Sequence, residues 1–172
     1  ERFVVHVSGD NRYRLFVNGR LASSGPQRSD LMHWRYETVD LAPDLRAGRN
    51  VVAALVWNWG AERPVAQFSH RTGFLLQGDS VRESALNTGR EWKVLRNPGY
   101  EPIPVRGPAT GGYYAAPPGE SVDGSVYPWG WLEPDFADAS WPAAATLEGW
   151  GAPRTQPRGS AFAGAAARSA DV

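Results

Sequence analysis

Alternating apolar and polar positions predict a β-hairpin near the start of the chain. Tyr13, Leu15 and Val17 occupy every second position, which is the period of a half-buried strand. Asn18 and Gly19 follow directly and tolerate the positive φ angles of a type I′ turn, after which extended chain resumes. A hairpin alone is marginally stable in water, so the rest of the chain must supply partner strands.

Further short apolar segments predict those partner strands. Between them stand clusters of Gly, Pro, Asn and Asp, which are typical turn formers. No segment keeps a helical period for longer than about a dozen residues. Many short strands separated by turns predict an all-β fold, an antiparallel β-sandwich or jelly roll. The predicted strands lie at residues 3–8, 33–39, 51–59, 72–77, 84–87 and 91–95.

The 172 residues are most simply one domain. We predict a β-sandwich over residues 1–150, in which 97–119 form a long connection rich in Pro and Gly. Residues 151–172 hold little to bury and are predicted to be a linker or the ragged end of an excerpt. The chain opens directly on a strand without an initiator Met, so we expect it to be part of a longer protein. Whether residues 97–150 complete the sandwich or begin another layer stays open at this point.

Charge and composition exclude several classes of function. Lys plus Arg and Asp plus Glu both total 18, and this zero net charge argues against a nucleic-acid partner. No apolar run has the length of a membrane span, so no membrane partner is expected. The absence of cysteine excludes disulfides, thiol catalysis and zinc–thiolate sites. For the location of the protein we favour the extracellular space or the periplasm.

Four local patterns occur in one order and carry a family resemblance. The first two are Leu15-Phe-Val-Asn-Gly19 and the segment 40–50 followed by the apolar run 51–56. The others are Gly119-Glu-Ser-Val-Asp123 and the segment 130–144, which contains Gly-Trp and Phe-Ala-Asp-Ala-Ser-Trp. Over roughly residues 3–150 the chain resembles galactose-binding-like jelly-roll modules, and most closely the N-terminal accessory domain of bacterial α-L-rhamnosidases. The first two patterns also occur in the sugar-binding domain of β-galactosidase-like hydrolases, whereas the last two favour the rhamnosidase type.

The resemblance implies a non-catalytic module of a glycoside hydrolase. Its partners would be the catalytic domain of the same polypeptide and plant or bacterial glycans that contain rhamnose. In the resembled family the catalytic carboxylates lie in a separate helical-barrel domain. Two alternatives stay open: a purely structural interdomain module without a ligand, and the sugar-binding domain of a β-galactosidase-like enzyme.

The residues themselves also predict no catalytic centre. Glycoside hydrolysis normally requires two carboxyl groups that face one bond. Glu120 and Asp123 are candidates by residue type, but we expect them to hold an irregular segment by hydrogen bonds and ion pairs. His6, His33 and His70 share no metal-ligand spacing, so no metal site is predicted from them.

Carbohydrate binding is the stronger functional hypothesis from sequence. Eight tryptophans suit the apolar faces of sugar rings, although most of them are expected in the core. We predict a stacking site that involves Trp34, Tyr36, Asn58 or Trp59. Residues alternate between the faces of a strand, so Asn58 is expected to face outward if its two tryptophan neighbours are in the core.

Calcium is the one cofactor for which the sequence offers candidate ligands. Asp10 and Asn11 lie at a loop mouth and offer oxygen atoms to a sugar or a calcium ion. No cluster of further ligands accompanies them, so we expect the pair to form the turn and expect no cofactor.

Overall fold

The computed structural model describes residues 1–105 and 117–147 and the backbone of residues 162–171. Ten β-strands and two short 3-10 helices, Gly60–Glu62 and Ser84–Leu86, make up its regular structure. The first five strands are β1 Val4–Asp10, β2 Arg12–Val17, β3 Arg20–Gly25, β4 Glu37–Asp40 and β5 Arg49–Asn58. The others are β6 Gly73–Gly78, β7 Lys93–Arg96, β8 Tyr100–Ile103, β9 Gly119–Val122 and β10 Phe162–Asp171.

The strands form two antiparallel sheets that face each other. One sheet has the order β4-β1-β6 and the other the order β3-β2-β5-β10-β7, while β8 and β9 pair separately as a two-stranded unit. Between the two main sheets lies a core to which both contribute, with Val5 and Leu76 on one side and Leu15 and Val52 on the other. The predicted all-β antiparallel sandwich is confirmed.

The predicted hairpin of β2 and β3 is also confirmed. Asn18 has a φ of 49° and Gly19 a φ of 80°, as a type I′ turn requires. The register runs from Val17 opposite Arg20 to Tyr13 opposite Gly25, with one irregularity between Leu15 and Phe16. The hairpin therefore directs one apolar row into the core.

A second core lies on the opposite face of the five-stranded sheet. Val51 and Ala53 of β5 are buried there against Trp131 and Trp141. Since side chains alternate along a strand, Val52, Ala54 and Val56 of β5 fill the first core instead. The segment around residues 127–144 is therefore an additional layer that covers the sheet, which answers the question that the sequence left open.

Backbone groups along two sheet margins are bonded by neighbouring segments. Beside β6, the amide of Leu76 donates to Thr88 Oγ1 at 3.3 Å and that of Gly78 to Asn87 Oδ1 at 2.7 Å. Beside β7, the amide of Val94 donates to the carbonyl oxygen of Pro142 at 2.9 Å. Loops thus cover these margins, as natural sheets commonly require.

The structure differs from the predicted elements at three places. Residues 33–36 precede β4 as a loop, and residues 84–86 form a 3-10 helix where a strand was predicted. Phe162–Asp171, predicted within a linker, pairs instead with β5 from Phe162 opposite Asn58 to Asp171 opposite Arg49. A run of Ala and Gly has low strand propensity, which explains the linker prediction, but a long backbone ladder does not depend on large side chains.

Two stretches of the predicted domain organisation lie outside the described residues. Residues 106–116 belong to the predicted connection 97–119, whose flanking parts form β8 and the start of β9. Residues 148–161 contain the predicted boundary at residue 150, which stays a prediction. In the described ranges there is no helix of the length and apolarity that crossing a membrane requires.

Candidate functional site

A small, shallow depression opens at one end of the sandwich. It lies between the loop that follows β3 and the loop that follows β5. The first loop contributes Pro26, Gln27, Ser29, Trp34 and Arg35, the second contributes Gln67 and Phe68, and Asn11 lies between β1 and β2. Polar and aromatic side chains therefore meet at one surface point.

Asp10 anchors the second loop at the end of β1. Its Oδ2 accepts hydrogen bonds from the backbone amides of His70 and Arg71, both at 2.7 Å. Its Oδ1 accepts from Asn11 Nδ2 at 2.9 Å and from Asn58 Nδ2 at 3.1 Å. The residue is buried, and this burial raises its pKa, although hydrogen bonds from Ser69 and the two loop amides partly offset the effect. Both carboxylate oxygens thus hold protein donors.

Asn11 and Asn58 extend this polar network beneath the depression. Asn11 Oδ1 accepts from the amide of Trp59 at 3.1 Å, and its Nδ2 donates to the carbonyl oxygen of Phe68 at 3.3 Å. Asn58 Oδ1 accepts from the amide of Gly60 at 2.8 Å, and its Nδ2 also donates to Ser69 Oγ at 2.9 Å. The two amides fix the ends of β1 and β5 to the loop that carries Gln67 and Phe68.

Trp34 is held in place from the other side of the depression. Its indole Nε1 donates to Ser8 Oγ at 3.1 Å, and Ser8 Oγ donates to the carbonyl oxygen of Arg35 at 2.7 Å. The adjoining loop is fixed by Arg12, whose guanidinium donates to the carbonyl oxygen of Pro26 at 2.6 Å. The half-buried indole therefore has a defined position at the rim.

Gln67, which lines the depression, has a side-chain oxygen without a hydrogen-bond partner among the described residues. Its side chain is only 6% exposed, and no hydrogen bond from the described residues reaches its Oε1. Buried amide oxygens are normally paired, because an unpaired one costs about 1–3 kcal/mol. Next to it, Phe68 keeps 46% of its surface exposed. The lining of the depression therefore includes a glutamine with a buried, unpaired acceptor and, next to it in the chain, an exposed ring.

The structure brings only one of the four predicted sugar-binding residues to the depression. Trp34 lines it, whereas Tyr36 lies 62% exposed with its ring centroid 5.4 Å from that of His6 on β1. Asn58 is 4% exposed and Trp59 is also buried. Asn58 was expected to face outward only if Trp57 and Trp59 both lay in the core; Trp57 is only half-buried, so that condition is not met, and Asn58 lies beneath the loop that follows β5. A sugar-binding role for these residues stays a prediction.

Sequence reasoning did not identify Gln67 and Phe68. They lie in an irregular loop of residues 63–72 without hydrophobic periodicity. The available signal was a glutamine next to an aromatic residue in a loop after the most apolar strand, which is too common to single out a site. From the sequence, Asn11 is expected only to form a turn or to offer an oxygen atom to a sugar or a calcium ion.

The acidic and histidine side chains weighed for chemistry have protein partners. Glu120 accepts a hydrogen bond from the hydroxyl of Tyr100 at 3.3 Å. Asp123 Oδ1 accepts from the amide and hydroxyl of Ser125 at 2.9 and 2.6 Å, which lowers the pKa of that carboxyl group. His6 is within 3.0 Å of both Thr38 Oγ1 and Asp79 Oδ1. Hydrogen bonding, as expected from the sequence, accounts for Glu120 and Asp123.

Neither paired carboxylates nor metal ligands gather at the depression. None of its eight lining residues is Asp or Glu. In the parts of the chain that the structure describes, no three His, Cys, Asp or Glu side chains are grouped so that they could hold a metal ion. The lining residues offer hydrogen-bonding groups and aromatic rings.

A solved structure of a known enzyme contains a part that is similar to this fold. The structure is similar to part of the crystal structure of a GH78 family rhamnosidase from Bacillus sp. GL1, with a TM-score of 0.72 and 26% sequence identity. The match covers 85% of this chain and 15% of the rhamnosidase chain. No protein-family model and no curated protein matches the sequence. The similarity confirms the resemblance to a rhamnosidase-type accessory domain that the sequence motifs predicted.

Proposed function

We propose that this chain is a non-catalytic, carbohydrate-associated β-sandwich module of an α-L-rhamnosidase-like glycoside hydrolase. It would pack against the catalytic domain of its polypeptide and contact a rhamnosyl glycan at the depression. The similarity to a stretch covering 15% of a much longer rhamnosidase supports the role of one module among several. The absence of acidic side chains from the lining of the depression supports a binding role rather than hydrolysis.

The observation that carries the proposal is the buried, unpaired Gln67 Oε1 beside two aromatic rings. A sugar presents hydroxyl donors at its edges and apolar C–H groups on its faces. A hydroxyl that donates to Gln67 would satisfy the acceptor, while Trp34 or Phe68 would cover an apolar face. We therefore expect a rhamnosyl unit to contact the rim of the depression rather than to be enclosed by it.

The test is a calorimetric titration of the chain with L-rhamnose and, separately, with D-galactose. We expect saturable rhamnose binding that weakens about fivefold in Gln67→Leu, because about 1 kcal/mol is typical for one hydrogen bond. Trp34→Ala and Phe68→Ala are expected to weaken binding further if their rings stack on the sugar. Each titration is run with calcium and with a chelator, which tests directly whether Asp10 and Asn11 use a cation.

Val81→Ala is the matched control, because Val81 is 90% exposed and is not among the residues that line the depression. It should bind the sugar as the unaltered chain does. No heat of binding with either sugar at millimolar concentration would reject the carbohydrate role and favour the purely structural module. Preference for galactose would favour the β-galactosidase-like alternative.

A further inference from the structure

Trp129 is an exposed indole in a fixed position. It leaves 68% of its surface exposed, although Trp131, two positions along the chain, is buried in the second core. Its Nε1 donates to the carbonyl oxygen of Gly124 at 2.7 Å, and its ring centroid lies 4.6 Å from that of Tyr127. Tyr127 in turn packs against the second core. The indole is therefore mounted rigidly on the layer that covers the five-stranded sheet.

Such a ring offers a partner one particular kind of contact. The indole N–H is already used, so the exposed part contributes an apolar, electron-rich face. A face of this kind attracts cations, and Trp is the most effective aromatic residue in that respect. Because the ring is already fixed, binding would lose little conformational entropy. An aromatic anchor of this type is typical of an interface hot spot.

The segment that carries Trp129 adds negative charge. Asp123 directly precedes the glycine that holds the indole, and the amide of Glu133 donates to the carbonyl oxygen of Gly130 at 2.9 Å. Residues 117–147 contain five carboxylates and no Lys, Arg or His. Val122 and Val126 add exposed apolar surface to the same segment. This charge complements a basic partner.

We propose that Trp129, with Asp123 and Glu133, docks an arginine-bearing segment of another protein or domain. A guanidinium group can stack on the indole while its N–H groups pair with a carboxylate, a combination that the ammonium group of lysine reproduces less well. A sugar fits this surface less well, because the indole N–H is occupied and Asp123 Oδ1 already accepts two hydrogen bonds from Ser125. The surface is formed by different residues from the depression, so this inference does not depend on the proposed function.

The test follows the indole N–H resonances of the whole 172-residue chain by NMR. The probes are tetra-arginine amide, tetralysine amide and a neutral Gly-Ser peptide of equal length. We expect a saturable shift of the Trp129 resonance, stronger with arginine than with lysine and weaker at high salt. Asp123→Asn and Glu133→Gln should each weaken binding about two- to fivefold, as expected for exposed ion pairs. Trp129→Ala should abolish it, and Trp34→Ala should leave it unchanged.

Several results would overturn the inference. An absent or non-saturable shift with the arginine peptide would do so, as would an equal response to the neutral peptide. A Trp129 shift caused by L-rhamnose would assign the surface to sugar instead. A shift that depends on protein concentration without peptide would assign it to self-association. Should Trp129→Ala fail to fold, the two charge variants and the salt dependence decide the question.

Discussion

The side chain of Asn18 donates a hydrogen bond to Asn50 Oδ1 at 2.9 Å and so joins the tip of the first hairpin to the start of β5. Asn50 is fully buried and uses its whole amide: Oδ1 also accepts from the amide of Arg46, and Nδ2 donates to the carbonyl oxygens of Arg46 and Gly48. Asn18 Oδ1 accepts from the amide of Val51 at 3.0 Å. Asn18 and Asn50 belong to the first two patterns of the family resemblance. Their hydrogen bond joins the turn between β2 and β3 to the turn that precedes β5.

Replacing Asn50 should destabilise the fold strongly. Asn50→Ala empties a buried position and leaves one amide and two carbonyl oxygens of the turn before β5 without their partner, which should lower the free energy of unfolding by about 2–4 kcal/mol. Urea denaturation measures the change. Asn87→Ala, which removes one hydrogen bond at a sheet margin, is the comparison and should cost about 1 kcal/mol. Equal effects of the two substitutions would contradict the role assigned to Asn50.

Asn18 tests the turn separately from the hydrogen bonds. Asn18→Gly and Asn18→Ala both remove the side-chain contacts, but only glycine adopts a φ of 49° without strain. The alanine variant should therefore be less stable than the glycine variant by about 1–2 kcal/mol in urea denaturation. If the alanine variant were the more stable of the two, the type I′ turn would not be the feature that selects Asn at this position.

Asp10 should control the loop that carries Gln67. In the unaltered chain both carboxylate oxygens of Asp10 accept hydrogen bonds from protein N–H groups. Asp10→Asn replaces one of these oxygens by an NH₂ group that cannot accept, and we expect a loss of about 2–4 kcal/mol of stability. Hydrogen exchange at the amides of His70 and Arg71 should become faster in the variant. Asp30→Asn, at an exposed position, is the control and should leave both measurements nearly unchanged. Unaltered exchange in Asp10→Asn would refute the anchoring role.

Tyr100 should make stability fall at alkaline pH. Burial, together with the negative charge of Glu120, raises the pKa of its hydroxyl from about 10 to about 12. The unfolded chain therefore releases this proton from about pH 10, whereas the folded chain retains it until about pH 12. The contribution of Tyr100 to stability is complete below pH 10 and declines as pH rises through that window.

The difference between the unaltered chain and Tyr100→Phe isolates this effect. Unfolding midpoints measured in that alkaline window should fall more steeply for the unaltered chain than for the variant. Glu120→Gln removes the nearby negative charge, so the tyrosinate absorbance should show a lower pKa for Tyr100. An unchanged titration in Glu120→Gln would mean that burial alone raises the pKa.

Trp131 and Trp129 should lose very different amounts of stability on the same substitution. Trp131→Ala opens a cavity between the covering segment and the five-stranded sheet and should cost about 3–5 kcal/mol. Trp129→Ala removes an exposed ring and should cost less than about 1 kcal/mol. Thermal unfolding of the two variants under the same conditions measures both losses of stability. Similar losses would mean that Trp129 also supports the fold.

Local signals in the sequence were sufficient for the sandwich but not for its site. Asn18 and Gly19 specify their turn by backbone geometry, and the alternation along β5 separates residues of the two cores. Phe136 and Trp141, spaced around a polar turn, pack with their ring centroids 5.5 Å apart. These features depend on a few neighbouring residues, which is why a pattern reveals them.

The depression depends instead on loops that meet only in three dimensions. Gln67 reaches it because Asp10, some sixty positions earlier, binds the following amides. Alternation along β5 left open whether Trp57 or Asn58 points inward, since strand periodicity does not register a loop that covers the strand end. Phe162–Asp171 was missed for a related reason: its residues carry little hydrophobic signal, and its place between β5 and β7 follows from the ladder alone.

The hydrogen bonds that Thr88, Asn87 and Pro142 make along β6 and β7 have a consequence for solubility. A strand with vacant amides and carbonyls recruits strands from other molecules and so seeds aggregation. Here the two margins are closed by side chains and by a returning loop of the same chain. A module rich in apolar strands can therefore stand beside other domains at high local concentration without polymerising through these sides.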